Sequence, residues 1–178
     1  MKNLVATVLL GFGFAGLTLA QAPSNKAEMI DIAVVEFTPG SNASGMTYEA
    51  KRHLQAAIAF SLAKTRRFHV VDVGNTRDQT KPNLEAINGT STAPAVQAGK
   101  KLRVAYVLTG NVVDYNTGGS ATVNTRLVEV ATGKVIYADE KTQQSTGKML
   151  SGGEPEMMNK VLRPIIADLT ESLLGKAL

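Results

Sequence analysis

Between residues 29 and 73 the chain passes from an extended apolar run to an amphipathic helix and back to an extended run, and this alternation constrains its fold more than any other feature. Residues 29–37 are rich in β-branched and large apolar side chains, among them Ile30, Ile32, Val34, Val35 and Phe37, and Pro39-Gly40 closes the run. That composition reads as a mostly buried strand. Thr47 is placed to cap a helix in which Ala50, Leu54, Ala57, Ile58, Ser61 and Leu62 recur at helical spacing, while Lys51, Arg52, Gln55 and Lys64 occupy other faces. The helix should end near Arg66. Residues 68–73, with Phe68, Val70, Val71 and Val73, form a second strand almost immediately. The result is a compact β–α–β unit, and with it a domain that mixes helix and sheet.

The rest of the chain extends this reading. Residues 74–82 are polar and irregular, with Asn75 to Asp78 forming a turn or the start of a helix, and a short helix follows around 84–88. Residues 88–92 make a loop. Residues 93–102 read as a helix with Pro94 in the first turn, where a missing N–H is harmless. Strands are expected over 105–115 and 121–130, joined by a turn at 116–119, and Thr132-Gly133 makes a tight turn into a fifth strand at 134–144. These three strands form an antiparallel meander. After a loop at 145–154, Pro155 opens a long C-terminal helix carrying Met158, Val161, Leu162, Ile165, Leu169, Leu173 and Leu174, which Pro164 should kink or divide. The expected fold is therefore a single α/β (α+β) domain. It has a mixed sheet of about five strands, a β–α–β start, an antiparallel meander and a long C-terminal helix, with helices covering at least one face. With 178 residues, 44% of them hydrophobic, such a chain buries a real core without disulfides or a structural metal.

The first segment reads as an address. Lys2 is followed by an apolar run over 4–20 softened by Gly11, Gly13 and Gly16, and then by the small–x–small triplet Ala20-Gln21-Ala22. This is the pattern of a bacterial secretory signal peptide, residues 1–22, with the domain proper over 23–178. A lipoprotein needs Cys at the first mature position, where Pro23 stands, so the exported protein is expected to be soluble and periplasmic, with no lipid anchor. The chain contains no Cys at all, which excludes thiol nucleophiles, thiolate zinc sites and iron–sulfur clusters.

Charge and spacing supply no catalytic constellation. The net charge of +4 is only mildly basic. Its local groups, Lys64, Arg66 and Arg67 and then Lys100, Lys101 and Arg103, sit at helix ends where cations meet the negative end of the dipole, with no interleaved aromatics, so no nucleic-acid partner is expected. The two histidines, His53 in the first helix and His69 in the second strand, have no partner at ligand spacing, although Glu49 lies one turn before His53. The carboxylates Asp31, Glu36, Asp72, Asp114, Glu129, Asp139 and Glu140 are scattered along strands. There is no phosphate-binding glycine loop, no G-x-S-x-G and no H-E-x-x-H. No catalytic, cofactor-binding or metal residue is therefore assigned, and no cofactor. Asn42-Ala43-Ser44 and Asn88-Gly89-Thr90 match the glycosylation triplet but read as loops, and Tyr106, Tyr115, Tyr137 and the methionines Met149, Met157 and Met158 read as packing.

Two stretches carry a resemblance. Residues 99–110 read G-x-x-L-x-x-x-Y-V-L-T-G, a helix end feeding a buried strand, and residues 126–137 read R-L-V-E-V-A-T-G-K-V-I-Y, a hairpin whose Gly133 permits the turn. With the strands at 32–37 and 67–72 before them, the series resembles the CsgG family of curli secretion proteins, whose similar domains include the penicillin-binding-protein activator LpoB and the N-terminal domain of TolB. The resemblance covers about residues 30–145 and the last helix. Curli secretion proteins are outer-membrane lipoproteins that form rings and insert two long hairpins as a pore. This chain departs from them in lacking the lipid-accepting Cys, in joining its third and fourth strands by only a few residues, and in placing Asn124, Arg126 and Glu129 on the fourth. The activator-type relatives imply instead a non-enzymatic interaction or assembly module of the cell envelope, docking on an envelope or outer-membrane protein through a sheet edge or the C-terminal helix. A ring-forming homo-oligomeric accessory of a curli-like secretion or outer-membrane assembly system is the second reading. An envelope enzyme is the third.

Overall fold

The computed structural model describes residues 29–176, and the segment read as an export signal lies outside them. Strand β1 (Ile30–Val34) is followed by β2 (Thr38–Asn42), helix α1 (Tyr48–Lys64), β3 (Phe68–Val70), α2 (Val73–Thr80), a 3-10 turn (Lys81–Asn83), α3 (Leu84–Asn88) and α4 (Ala93–Leu102). The long strands β4 (Tyr106–Asn116), β5 (Ser120–Glu129) and β6 (Val135–Gln144) come next, and the chain closes with a C-terminal helix made of α5 (Glu154–Met157), a π segment (Met158–Leu162) and α6 (Arg163–Leu174).

All six strands belong to one open mixed sheet in the order β3-β1-β4-β5-β6, with β2 also on β4. The β–α–β start produces the parallel half, β3 and β4 flanking β1, and the meander produces the antiparallel half. The expected meander is present, with Gly133 at φ 71° in its second turn, the left-handed region that glycine adopts without penalty.

The sixth strand is the one the sequence hides. Pro39-Gly40 and the residues to 45 read as the end of a strand and a loop, yet β2 runs along the same edge of β4 as β1. Val34 pairs with Leu108, Thr38 with Asn111 and Asn42 with Asp114, so one extra residue is accommodated before Thr38 and another between Pro39 and Asn42, and the ladder resumes each time in a shifted register. Pro39 is tolerated because no further strand lies beyond β2 to receive its missing N–H.

Three other expectations need correction. The second strand ends at Val70 because Asp72 leaves it to cap α2, its carboxylate accepting from Asn75 N–H at 3.1 Å. The stretch 74–82, read as irregular, is therefore mostly helix. Its inward positions are Thr76 and Thr80, both buried, whose hydroxyls donate to the carbonyls of Asp72 and Thr76 four residues back, so an interior face exists without an apolar stripe. Pro164 does not divide the last helix. The Arg163 N–H reaches the Met158 carbonyl five residues back, and this wider π turn absorbs the backbone bond and the space that the proline ring disturbs.

The sheet is covered on both faces. On one, α1 and the C-terminal helix pack Leu54, Ile58, Leu62, Leu162, Leu169 and Leu173 against Ile32, Leu108, Val123 and Leu127. On the other, α3 and α4 enclose a smaller core of Ala33, Val35, Ile87, Ala95, Val107 and Val128. Tyr115 and Tyr137 are buried in the first core and Tyr106 packs against it, the packing role expected for them, and Met157 is fully buried there.

Candidate interaction surface

Where α1 runs beside the C-terminal helix, small residues on α1 leave part of the space between the two helices unfilled. Ala56 and Ala57 from α1 face Pro155, Met158 and Arg163, and the groove between them has a volume of about 420 Å³. Further along, the helices meet through a 2.8 Å hydrogen bond between the Ser61 and Thr170 hydroxyls. One turn past Ala56, Phe60 is 72% exposed. A phenylalanine left in water forgoes about 1.5–3 kcal/mol that burial of its ring would supply. The ring and the groove give this side of the molecule an apolar strip bordered by His53, Asn159 and Arg163.

One end of the groove is fixed by Glu154. Its carboxylate accepts from the Thr47 hydroxyl at 3.2 Å and pairs with His53 Nδ1, while the same Thr47 oxygen caps α1 by accepting from Ala50 N–H at 3.0 Å. Both helix N-termini are thus pinned by one cluster. Burial, and after it the Glu154 charge, pushes the Tyr115 hydroxyl above the ordinary tyrosine value. The loop leading in is ordered by Glu156, whose carboxylate accepts from the backbone N–H groups of Leu150, Ser151 and Gly152 and from Lys160 Nζ at 2.8 Å. The Lys160 ammonium, then those amides, hold this carboxyl far below the usual carboxylate range.

The residues weighed in the sequence fall as follows. His53 turns to Glu154 from a distant part of the chain rather than to Glu49. His69 pairs with Asp31 at 2.6 Å across the parallel β1–β3 register, with both side chains more than half exposed. Lys64, Lys100 and Lys101 lie in the last turns of α1 and α4, as read from the sequence. Asn42 ends β2 and Asn88 ends α3. Among the described residues no group of three or more histidine and carboxylate side chains converges as a metal site. Sequence reasoning missed Glu154 and Glu156. The run Gly152-Gly153-Glu154-Pro155-Glu156, two glycines before an acidic helix start, was the available signal.

The far side of the sheet ends in β6, a ten-residue edge strand with no further strand beside it among the described residues. Asp139, Glu140 and Lys141 lie along it, and Asp139 and Lys141 form an ion pair at 3.1 Å. That pairing lowers the Asp139 carboxyl from its ordinary value and raises the Lys141 ammonium.

An open mixed sheet with helices on both faces and these two borders defines an α+β domain. The sequence model of the TolB amino-terminal domain family matches residues 23–136, and the chain belongs to that family. The TolB amino-terminal domain is one of the related domains that the sequence resembles. A comparison with curated proteins gives no match. Among solved structures, the lipoprotein GNA1162 from Neisseria meningitidis is similar at a TM-score of 0.55 and 16% identity, over 83% of this chain and 98% of that one. The PelC dodecamer from Paraburkholderia phytofirmans gives a TM-score of 0.52 at 17% identity, over 80% and 88%. The LpoB C-terminal domain from Escherichia coli gives 0.48 at 19% identity, over 65% and 82%.

Proposed function

We propose that this protein is a non-enzymatic interaction module of the bacterial cell envelope, exported by residues 1–22 and acting in the periplasm as the domain 23–178 without a lipid anchor. It docks on an envelope or outer-membrane protein, and the docking face is the groove between α1 and the C-terminal helix. The observation that carries this reading is the exposure of Phe60 beside that groove, since an apolar ring at the edge of a preformed hollow is the arrangement of an interface anchor. Membership of the TolB amino-terminal domain family supports the envelope assignment.

The test is site-specific photo-crosslinking in cells, with a photoreactive amino acid in place of Phe60 or Ala56 and, as control, in place of Lys100 on α4. Capture of one identified envelope protein from positions 60 and 56, and not from 100, is expected. Equal capture from all three positions, or none, overturns the reading.

A second reading, assembly with copies of itself as a ring-forming accessory, is favoured by the open β6 edge and by the likeness in fold to PelC, which is described as a dodecamer. In that case the crosslinks form a ladder of this chain alone.

A further inference from the structure

Beside α3 and α4, the part of their sheet face that they leave uncovered holds a polar hollow of about 230 Å³, bordered by Thr90 from the α3–α4 loop, Asn111 from β4, and Asn124 and Arg126 from β5. Its wall is fixed by Asn88. The Asn88 amide donates to the Glu36 carbonyl at 3.0 Å, while its oxygen accepts from Gly110 N–H at 2.9 Å and from the Thr109 hydroxyl. Three of that side chain's four hydrogen-bonding positions are used inside the protein.

Arg126 is the opposite case. Its Nη1 and Nη2 donate to the carbonyls of Thr90 and Ile87, at 3.0 and 3.3 Å, which aims the guanidinium into the corner between loop and sheet. None of the ion pairs among the described residues involves it. Burial disfavours its charged form, so a cation is held in a partly desolvated place with no carboxylate at ion-pair distance among the described residues. Glu140, across from Asn124 on β6, is the acidic residue next in register, and it is not part of the hollow. Asn111 and Asn124 stand directly opposite each other across β4 and β5, half-buried, and neither side chain has a hydrogen-bond partner among the described residues. Half-buried amides and a guanidinium without an anion are satisfied from outside the chain.

We infer that this hollow is a binding site for a small carboxylate-bearing, hydroxylated ligand, the chemistry of an acidic monosaccharide. Arg126 receives the carboxylate through its free N–H groups, and the fork geometry of guanidinium favours that group over a halide or a neutral acceptor. Each asparagine amide both donates and accepts, which is what neighbouring sugar hydroxyls require. The volume matches one sugar ring rather than a chain of them. The site lies on the sheet face opposite α1 and the C-terminal helix, so ligand binding there does not depend on the docking face proposed above.

The experiment is a titration of the isotopically labelled protein, followed by backbone amide shifts, with sodium glucuronate as probe and glucose and acetate as controls. Saturable shifts at Gly89, Thr90, Gly110, Asn111, Asn124 and Arg126 with glucuronate, and weaker responses to both controls, are expected. Arg126→Lys keeps the charge but loses the fork, and Asn111→Ala with Asn124→Ala leaves the loop contacts of Arg126 intact. Each should weaken binding about tenfold or more, and the asparagine pair should do so without changing the melting temperature. The absence of saturable shifts at millimolar glucuronate overturns the proposal. Equal responses to acetate and glucuronate, or unchanged affinity in the asparagine variant, overturn it as well.

Discussion

The glycines of the G-x-x-L-x-x-x-Y-V-L-T-G stretch show how a side chain's absence specifies a fold. A Cβ on Gly99 would lie 2.3 Å from a Val130 methyl and 2.9 Å from a Val107 methyl, so this glycine sets how closely α4 approaches β4 and β5. A Cβ on Gly110 would lie 2.0 Å from the Asn124 carbonyl oxygen, a backbone atom fixed in the β4–β5 ladder. The two sites therefore respond differently. Gly99→Ala should destabilise by about 1–3 kcal/mol, because valine methyls can shift. Gly110→Ala should be worse than that, since the ladder itself must move. Urea unfolding of the two variants checks the ranking, and a smaller loss at Gly110 than at Gly99 contradicts it. Asp72 offers a milder case: Asp72→Ala removes the cap of α2 and should lower stability by about 1 kcal/mol in the same measurement.

At the level of elements, what the sequence revealed depended on whether burial was achieved by apolar side chains at a regular period. α1, α4 and the meander are built that way, and their limits were legible to within a residue or two. α2 was not legible, because Thr76 and Thr80 reach the interior by returning their hydroxyls to the backbone. β2 was not, because a bulge interrupts the alternation and a proline stands in the strand. The groove was half legible: the apolar stripe of the C-terminal helix was visible, but Glu154 meets Thr47 and His53 across more than one hundred residues of chain. Local spacing carries no trace of such a contact. Glu156, by contrast, acts on its own neighbourhood. Its carboxyl lies below the ordinary value in the folded protein, so the order it confers is present above the usual carboxylate pKa and is lost as the pH falls through the folded value. Amides of Leu150, Ser151 and Gly152 should stay protected from hydrogen exchange at about pH 4, where an ordinary glutamate is half protonated. In Glu156→Gln they should exchange faster at about pH 4 and above, and equal rates in the two proteins there would show that the carboxylate does not order the loop.

For the molecule as a whole, the decisive question is which of its borders stays in water. β6 offers ten residues of unpaired edge, long enough to template another strand, yet Asp139, Glu140 and Lys141 lie in the middle of it. Charges on an edge strand oppose edge-to-edge pairing, because an added strand desolvates them and places like charges opposite one another. The groove beside Phe60 carries no comparable guard: its floor is alanine, proline and methionine, and its charged residues stand at the rim. The same chain thus blocks one border and leaves the other open, which fits docking through the helices better than self-assembly through the sheet. The domain should therefore scatter light as a single chain at micromolar concentration. Replacing Glu140 and Thr142, two residues on the outward face of the edge, with valine should raise the average mass with concentration, whereas Phe60→Asp should leave the mass unchanged and abolish capture of the envelope partner. A wild-type protein that forms a defined large oligomer, with its mass collapsing when the β6 edge is broken by Lys141→Pro, would reverse the assignment of the two borders.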